Sequence, residues 1–175
     1  ETERNSSALK SQQCEVVQRL LDAEGKEIAK SEPTSLDLMA KQTLDCKQSI
    51  KVTNPHLWSP TSPYLYQVET IVSQNGKETD VYTTTIGIRD IAFDAERGFI
   101  LNGEPLKLKG VNMHQDHAGV GAAIPDALQT WRIKQLKAFG CNAYRASHNP
   151  MTPTQLDICD REGILVIDEN RLMGI

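Results

Sequence analysis

Three histidines, an arginine and two adjacent acids stand where a chain of alternating strands and helices would collect them. His114 and His117 close the run LKLKGVNMHQDH at residues 106–117, Arg145 and His148 lie in NAYRASHNP, and Asp168 and Glu169 sit near the end of ILVIDEN. Each run reads as a short strand that ends in polar side chains. Open α/β sheets and (β/α) barrels place their sites just past the C-terminal ends of parallel strands. The three histidines could converge there, and a neutral imidazole offers one donor and one acceptor to a polar ligand. Zinc is a weaker reading, because the H-x-x-H of His114 and His117 falls on a loop with no fixed carboxylate partner. For His117, a surface imidazole without a role is as good a reading as a functional one. Asp168 and Glu169 are neighbours on a strand and point to opposite faces, so at most one faces the strand ends' mouth. A carboxylate paired with Arg145 or Arg171 is the stronger reading of either.

The elements that must position these residues follow from pattern. Residues 106–109 alternate as a strand and the chain is expected to turn at Gly110. Phe99-Ile100-Leu101 is expected to pair across Asn102-Gly103 with Leu106-Lys107-Leu108. Asp126 with Gln129 makes a capping box for a first helix. Leu128, Trp131, Leu136 and Phe139 share an arc with Arg132, and Gly140 suits the position after the helix. A short strand at 141–145 follows. Thr152, Pro153 and Gln155 open a second helix, Gly163 ends it, and 164–167 is the apolar run of a buried parallel strand. The order is β-α-β-α-β.

The first half is all β. Strands at 14–21 and 28–30 flank a turn at 22–26. The cleanest alternation runs over 44–52, with Leu44, Cys46, Ile50 and Val52 inward and Gln48 as the blemish. Residues 54–63 hold three prolines and form an extended connection. Trp58 within it reads as a packing anchor against the sandwich, in preference to a sugar-stacking platform. Strands at 64–73 and 78–88 meet through Asn75-Gly76, a type I′ turn. Short strands and turns of this kind indicate an immunoglobulin-like sandwich.

Composition sets outer bounds. A chain of 175 residues fits one large or two small domains. A net charge of −4 without a Lys/Arg run argues against nucleic acid as a partner. No apolar stretch approaches the roughly 20 residues that span a bilayer. The compartment stays open between cytoplasm and periplasm or exterior. Four cysteines without a CxxC pair are expected to be free thiols. A Cys14–Cys46 bridge is the disfavoured alternative.

The segments NPHLWSPTSPYLY, TTTIGIRDI, LNGEPLKLKGVNMHQDH, FGCNAYRASHNP and CDREGILVIDEN, in this order, resemble glycoside hydrolase family 2. That is the β-galactosidase and β-glucuronidase family, and the likeness is closest to its β-galactosidase-like members. The resemblance implies a multi-domain chain: an immunoglobulin-like β-sandwich over 1–89, then the start of a TIM-type (β/α)8 barrel over 90–175. It implies a fragment holding three of eight barrel strands, without the preceding jelly-roll domain and without either catalytic glutamate. The activity implied is retaining hydrolysis of terminal non-reducing β-galactosides, with β-glucuronides as runner-up. A non-catalytic carbohydrate-binding or linker module is the rival. By the same resemblance Asn112, His114 and His148 bind substrate and Arg145 orients the nucleophile, with Asp168, Glu169 and His117 in support. Asn149 stands where many members carry Tyr. No cofactor is expected, because Met173 stands where related enzymes have a metal-binding glutamate. The partners expected are a carbohydrate substrate and, through open barrel strands, further copies of the chain, with neither nucleic acid nor membrane.

Overall fold

The computed structural model describes residues 2–5 and 11–170. Arg171 and Met173 lie outside the described residues. The chain divides into two compact units, Glu1–Pro55 with Leu65–Ile86 and His56–Tyr64 with Gly87–Ile175.

The first unit is a β-sandwich built from β1 (Thr2–Asn5), β2 (Gln12–Leu21), β3 (Glu27–Lys30), β4 (Thr34–Leu38), β5 (Thr43–Cys46), β6 (Tyr66–Gln74) and β7 (Lys77–Ile86). One antiparallel sheet runs β3-β2-β6-β7, with β4 also on β2, and β1 pairs with β5 in a second. Asp22 starts the β2–β3 turn by accepting from the backbone N–H of Glu24 and Lys26 at 3.1 and 2.8 Å. Asn75 and Gly76 take φ of 53° and 73°, the two positive values a type I′ turn requires. The core gathers Cys14, Val16, Leu38, Cys46 and Val72, with Leu36 and Leu44 against it.

One expectation fails in this unit, and one strand was not foreseen. The strand expected over 44–52 stops at Cys46. Gln48 ends it by turning its amide Nε2 back to within 2.9 Å of Val16 O and 3.0 Å of Glu32 O. The residues that pair with β2 instead come from β4, a strand the alternation of TSLDL left unread. None of the four cysteines is in a disulfide.

The second unit contains β8 (Ile91–Asp94), β9 (Gly98–Leu101), β10 (Glu104–Pro105), β11 (Gly110–His114), α1 (Asp126–Ala138), β12 (Ala143–Ser147), α2 (Pro153–Glu162) and β13 (Leu165–Ile167). Strands β10-β9-β8 form an antiparallel sheet, and β11-β12-β13 a parallel one that is the start of a TIM barrel. Ile133, Tyr144, Ala146, Met151, Ile158, Cys159 and Ile164 make the core under the helices.

Here the strand and turn of 106–117 exchange places. Leu106 to Lys109 is not strand, and pairing begins at Gly110. A Cβ at Gly110 would sit 2.6 Å from Ala143 O, so only glycine lets β11 approach β12 this closely. Asn142 sets the register, accepting from Lys109 N at 2.7 Å and donating to Lys107 O at 3.0 Å. The hairpin after Asn102-Gly103 returns through Glu104 and Pro105. Leu106 extends it by donating its N–H to Phe99 O at 2.8 Å, while Lys107 and Leu108 lie outside the strand.

Helix α1 starts on Pro125 without a side-chain cap, so Asp126 lies inside the first turn and favours the helix dipole only. Gln129 is buried and donates to Ile124 O at 3.2 Å instead of closing a box. Trp131 and Phe139 are exposed, and Ile133 holds the core face. Gly140 follows at φ 84°. In α2, Thr152 Oγ1 accepts from Gln155 N at 3.3 Å, Pro153 opens the helix and Gly163 closes it at φ 74°. The Gln155 side chain turns to Tyr144 Oη at 3.5 Å, not back to the cap.

Trp58 belongs to this second unit and is buried. Its Nε1 donates to Asp160 O at 2.9 Å, one of the last carbonyls of α2 that no helical N–H can reach. Asn102 Nδ2 donates to Trp58 O at 3.1 Å, and Arg89 lies 4.9 Å over the indole. Gly87 makes room, since a Cβ there would meet three Trp58 side-chain atoms at 2.9 Å.

Candidate functional site

Strand alternation decides which side chains can meet. In the parallel sheet Asn112 pairs in register with Arg145, and Arg145 with Ile167. Residues two apart share a face, so Asn112 and His114, Arg145, and Ile167 fall on one side. Glu169, past the end of β13, joins them through its contacts with Arg145 and His148. Met113, Tyr144, Ala146 and Val166 fall on the other and pack with the core under the helices.

At the C-terminal ends of these strands Glu169 binds two partners at once. Its Oε1 is sealed from solvent and pairs with Arg145 Nη2. The contact lacks hydrogen-bond alignment and acts as an ion pair. Oε2 lies 2.9 Å from His148 Nδ1. The His114 ring meets the His148 ring edge-on, with centroids 5.4 Å apart. Asp168 turns away, and its Oδ1 accepts from Met151 N at 3.1 Å. His148, His114, Arg145 and Asn112 are exposed, and Glu169 is half-buried.

The backbone N–H and carbonyl of His117 form a two-way bridge with Gly121 at 3.0 and 2.9 Å. Asn112 shares the face through its register with Arg145. The structure therefore brings together His114, Arg145, His148 and Glu169, while Asp168 turns to Met151.

Several residues that hold the cluster escaped the sequence reading. Arg132 of α1 donates to His114 O at 3.2 Å and Asp116 O at 3.1 Å, tying down the chain just past β11. Its place on an otherwise apolar arc was the available signal. Tyr144 Oη donates to Met113 O at 3.2 Å. Burial pushes the Tyr144 phenol up, against the opposing charge of Arg132, so it remains a donor. Gln115 Nε2 donates to Pro150 O at 2.6 Å, and Asn149 Nδ2 donates to Gln115 Oε1, which ties the loop after β11 to the one after β12. Nothing in the spacing of Gln115 and Asn149 pointed to this pairing.

Among the described residues no group of three or more His, Cys, Asp or Glu is placed to hold a metal ion. Among them no helix is long and apolar enough to cross a membrane.

Comparison with known proteins bears on what such a cluster serves. The chain is 42% identical over 154 residues to the β-galactosidase BoGH2A of Bacteroides ovatus, covering 88% of this chain and 18% of that protein. It is 36% identical to the β-glucuronidase of Felis catus, covering 90% of this chain and 23% of that one. The crystal structure of a glycosyl hydrolase family 2 member from Bacteroides cellulosilyticus superposes with a TM-score of 0.87 at 40% identity, over 91% of this chain and 22% of that chain. The chain thus spans about a fifth of the length of these relatives. The family model for glycosyl hydrolases family 2 matches residues 1–89, and the model for that family's TIM barrel domain matches residues 94–175. A sandwich leading into a parallel sheet whose strand ends gather arginine, imidazole and carboxylate, matched along both halves, makes this chain a member of glycoside hydrolase family 2.

Proposed function

We propose that the chain supplies the sandwich and the first three barrel strands of a retaining glycosidase that hydrolyses terminal non-reducing β-galactosides. The observation that carries this reading is the joined set Arg145, Glu169 and His148, with His114 against it, at the C-terminal end of three parallel strands. Barrel enzymes do their chemistry at that end. In this reading His114, His148 and Asn112 face the glycone. Arg145 turns part of its five-donor fork to a nucleophilic carboxylate from a later strand and favours that carboxylate's ionised form. The two carboxylates of the reaction belong to later strands. Asp168 and Glu169 cannot replace them, because a retaining pair stands about 5–5.5 Å apart across one bond, whereas these two turn to different partners.

A β-glucuronide is the second reading, favoured by the similarity to the Felis catus enzyme. Nitrophenyl β-galactoside and nitrophenyl β-glucuronide tested side by side decide between them in a longer polypeptide carrying these residues. There galactoside turnover is expected to exceed glucuronide turnover at least about tenfold, and His148→Ala to lower kcat, not merely raise KM. The 175-residue chain alone is expected to turn over neither. Faster glucuronide turnover would reverse the substrate, and turnover by the chain alone that vanishes in Glu169→Gln would overturn the placement of the catalytic carboxylates.

A further inference from the structure

We infer that Glu169 is a positioning residue that fixes the tautomer of His148, so that His148 offers Nε2 to the sugar as a hydrogen-bond acceptor. The inference rests on the reading of this face as the glycone side.

A carboxylate facing a guanidinium is an acceptor only. Glu169 meets that condition, with Oε1 against Arg145 Nη2. The hydrogen in the 2.9 Å contact between Oε2 and His148 Nδ1 therefore sits on Nδ1. A neutral imidazole carries a single N–H, so Nε2 keeps its lone pair. The His148 side chain is 63% exposed, which leaves the far edge of the ring open to a ligand. His114, packed edge-on at 5.4 Å, limits the ring's freedom to turn. Asp168 cannot take over, because it is committed to Met151 N. A free histidine side chain favours the opposite tautomer, with hydrogen on Nε2, so the carboxylate imposes a choice the ring would not make alone.

The consequence is chemical. An acceptor nitrogen recognises a donor, and on a glycone the donor is a hydroxyl. A uronate carboxylate has no hydrogen to give and is repelled by a lone pair beside Glu169. The sugar group that meets His148 is accordingly a hydroxyl.

Nitrogen-15 NMR of the imidazole in the 175-residue chain tests this at a pH where the ring is neutral. The expected spectrum shows a protonated, pyrrole-like Nδ1 and an unprotonated, pyridine-like Nε2. Glu169→Ala is expected to lose that form in favour of hydrogen on Nε2. Glu169→Gln, whose amide oxygen still accepts, is expected to keep it. Hydrogen on Nε2 in the unmutated chain, or on Nδ1 unchanged in Glu169→Ala, overturns the inference. If Glu169→Ala fails to fold, the spectra of the unmutated chain and Glu169→Gln decide. His148→Ala in the longer polypeptide separates the two readings. Unchanged kcat there would remove the glycone role and leave the tautomer result standing, whereas a wrong tautomer removes only the role of Glu169.

Discussion

Replacing Trp58 tests where the Pro-rich connection belongs. The indole is 1% exposed and spans two needs at once: it fills the space Gly87 leaves, and its N–H satisfies the Asp160 carbonyl at the end of α2. Trp→Ala in a core costs about 3–5 kcal/mol. The second unit holds roughly 100 residues, for which total stability is about 5–15 kcal/mol. Trp58→Ala should therefore consume a large part of that stability. Trp58→Phe keeps most of the ring volume and removes the donor, so its expected cost is about 1–3 kcal/mol, set by an unmet carbonyl. At about 4–8 °C per kcal/mol for a unit of this size, the Phe variant loses several degrees or more. Hydrogen exchange read peptide by peptide is the assay. Protection should fall in Ala143–Ser147, Pro153–Glu162 and Leu165–Ile167, and hold in Gln12–Leu21 and Tyr66–Gln74. Equal or greater loss in the two sandwich strands, or an alanine variant costing under about 1 kcal/mol, would refute the reasoning.

Gly110→Ala places a Cβ 2.6 Å from Ala143 O and 2.9 Å from its carbonyl carbon, backbone atoms with no rotamer to give. Urea unfolding should show a loss of about 1–3 kcal/mol, and NMR a weakened contact between the His114 and His148 rings. Burial pushes the Cys159 thiol up to about 12, so alkylation at pH 8 should reach Cys141 and spare Cys159 until the chain unfolds. The unfolded thiol loses its proton from about pH 8.5 and the folded one only near 12. The folded state thus binds more protons between those values, and stability should fall as pH rises through that window. Strands β11 and β13 each pair with β12 alone among the described residues, and open edges invite pairing with another chain. Sedimentation of the chain should depend on concentration. A monomer with Leu165–Ile167 protected as strongly as Gln12–Leu21 would sink that idea.

What the sequence made legible were features with one local cause. Asn75-Gly76 permits few alternatives to its turn, and Thr152-Pro153 few to its helix start. Asp168 and Glu169 were expected to part on a strand, but β13 ends at Ile167, and they part through different partners, Met151 N for one and Arg145 with His148 for the other. Failures came where a distant partner decides. The strand at Gly110 depends on how near Ala143 comes, and alternation in LKLK mimicked a strand that pairing does not support. Gln48 looked like a blemish on an inner face, and it is the residue that takes the chain out of the sheet. Trp58 reads as a buried aromatic from either side, and its partners in the second unit, the Asp160 carbonyl, Asn102 and Arg89, are distant in sequence. Arg132 was visible as a charge on an apolar arc, but its acceptors lie at the end of β11 and in the loop after it, eighteen and sixteen residues away.

The parallel strands keep stability and chemistry on separate faces. Tyr144, Ala146, Met113 and Val166 turn toward the helices, where Ile133, Ile158 and Ile164 are almost wholly buried. Asn112, His114, Arg145 and Glu169 turn the other way. The Arg145 side chain is 43% exposed and that of Glu169 21%, and an ion pair with its cation so open to water contributes little to folding, typically about 1 kcal/mol or less. Ordering a long arginine side chain also costs conformational entropy. A cluster that adds so little to stability is poorly explained by folding alone. Hydrophobic residues at Arg145 and Glu169 would hold the sheet at least as well, as replacement of ion pairs elsewhere suggests. What they could not do is present a fixed cation and an oriented imidazole at the strand ends. The polar face is therefore better accounted for by what binds to it than by what it holds together.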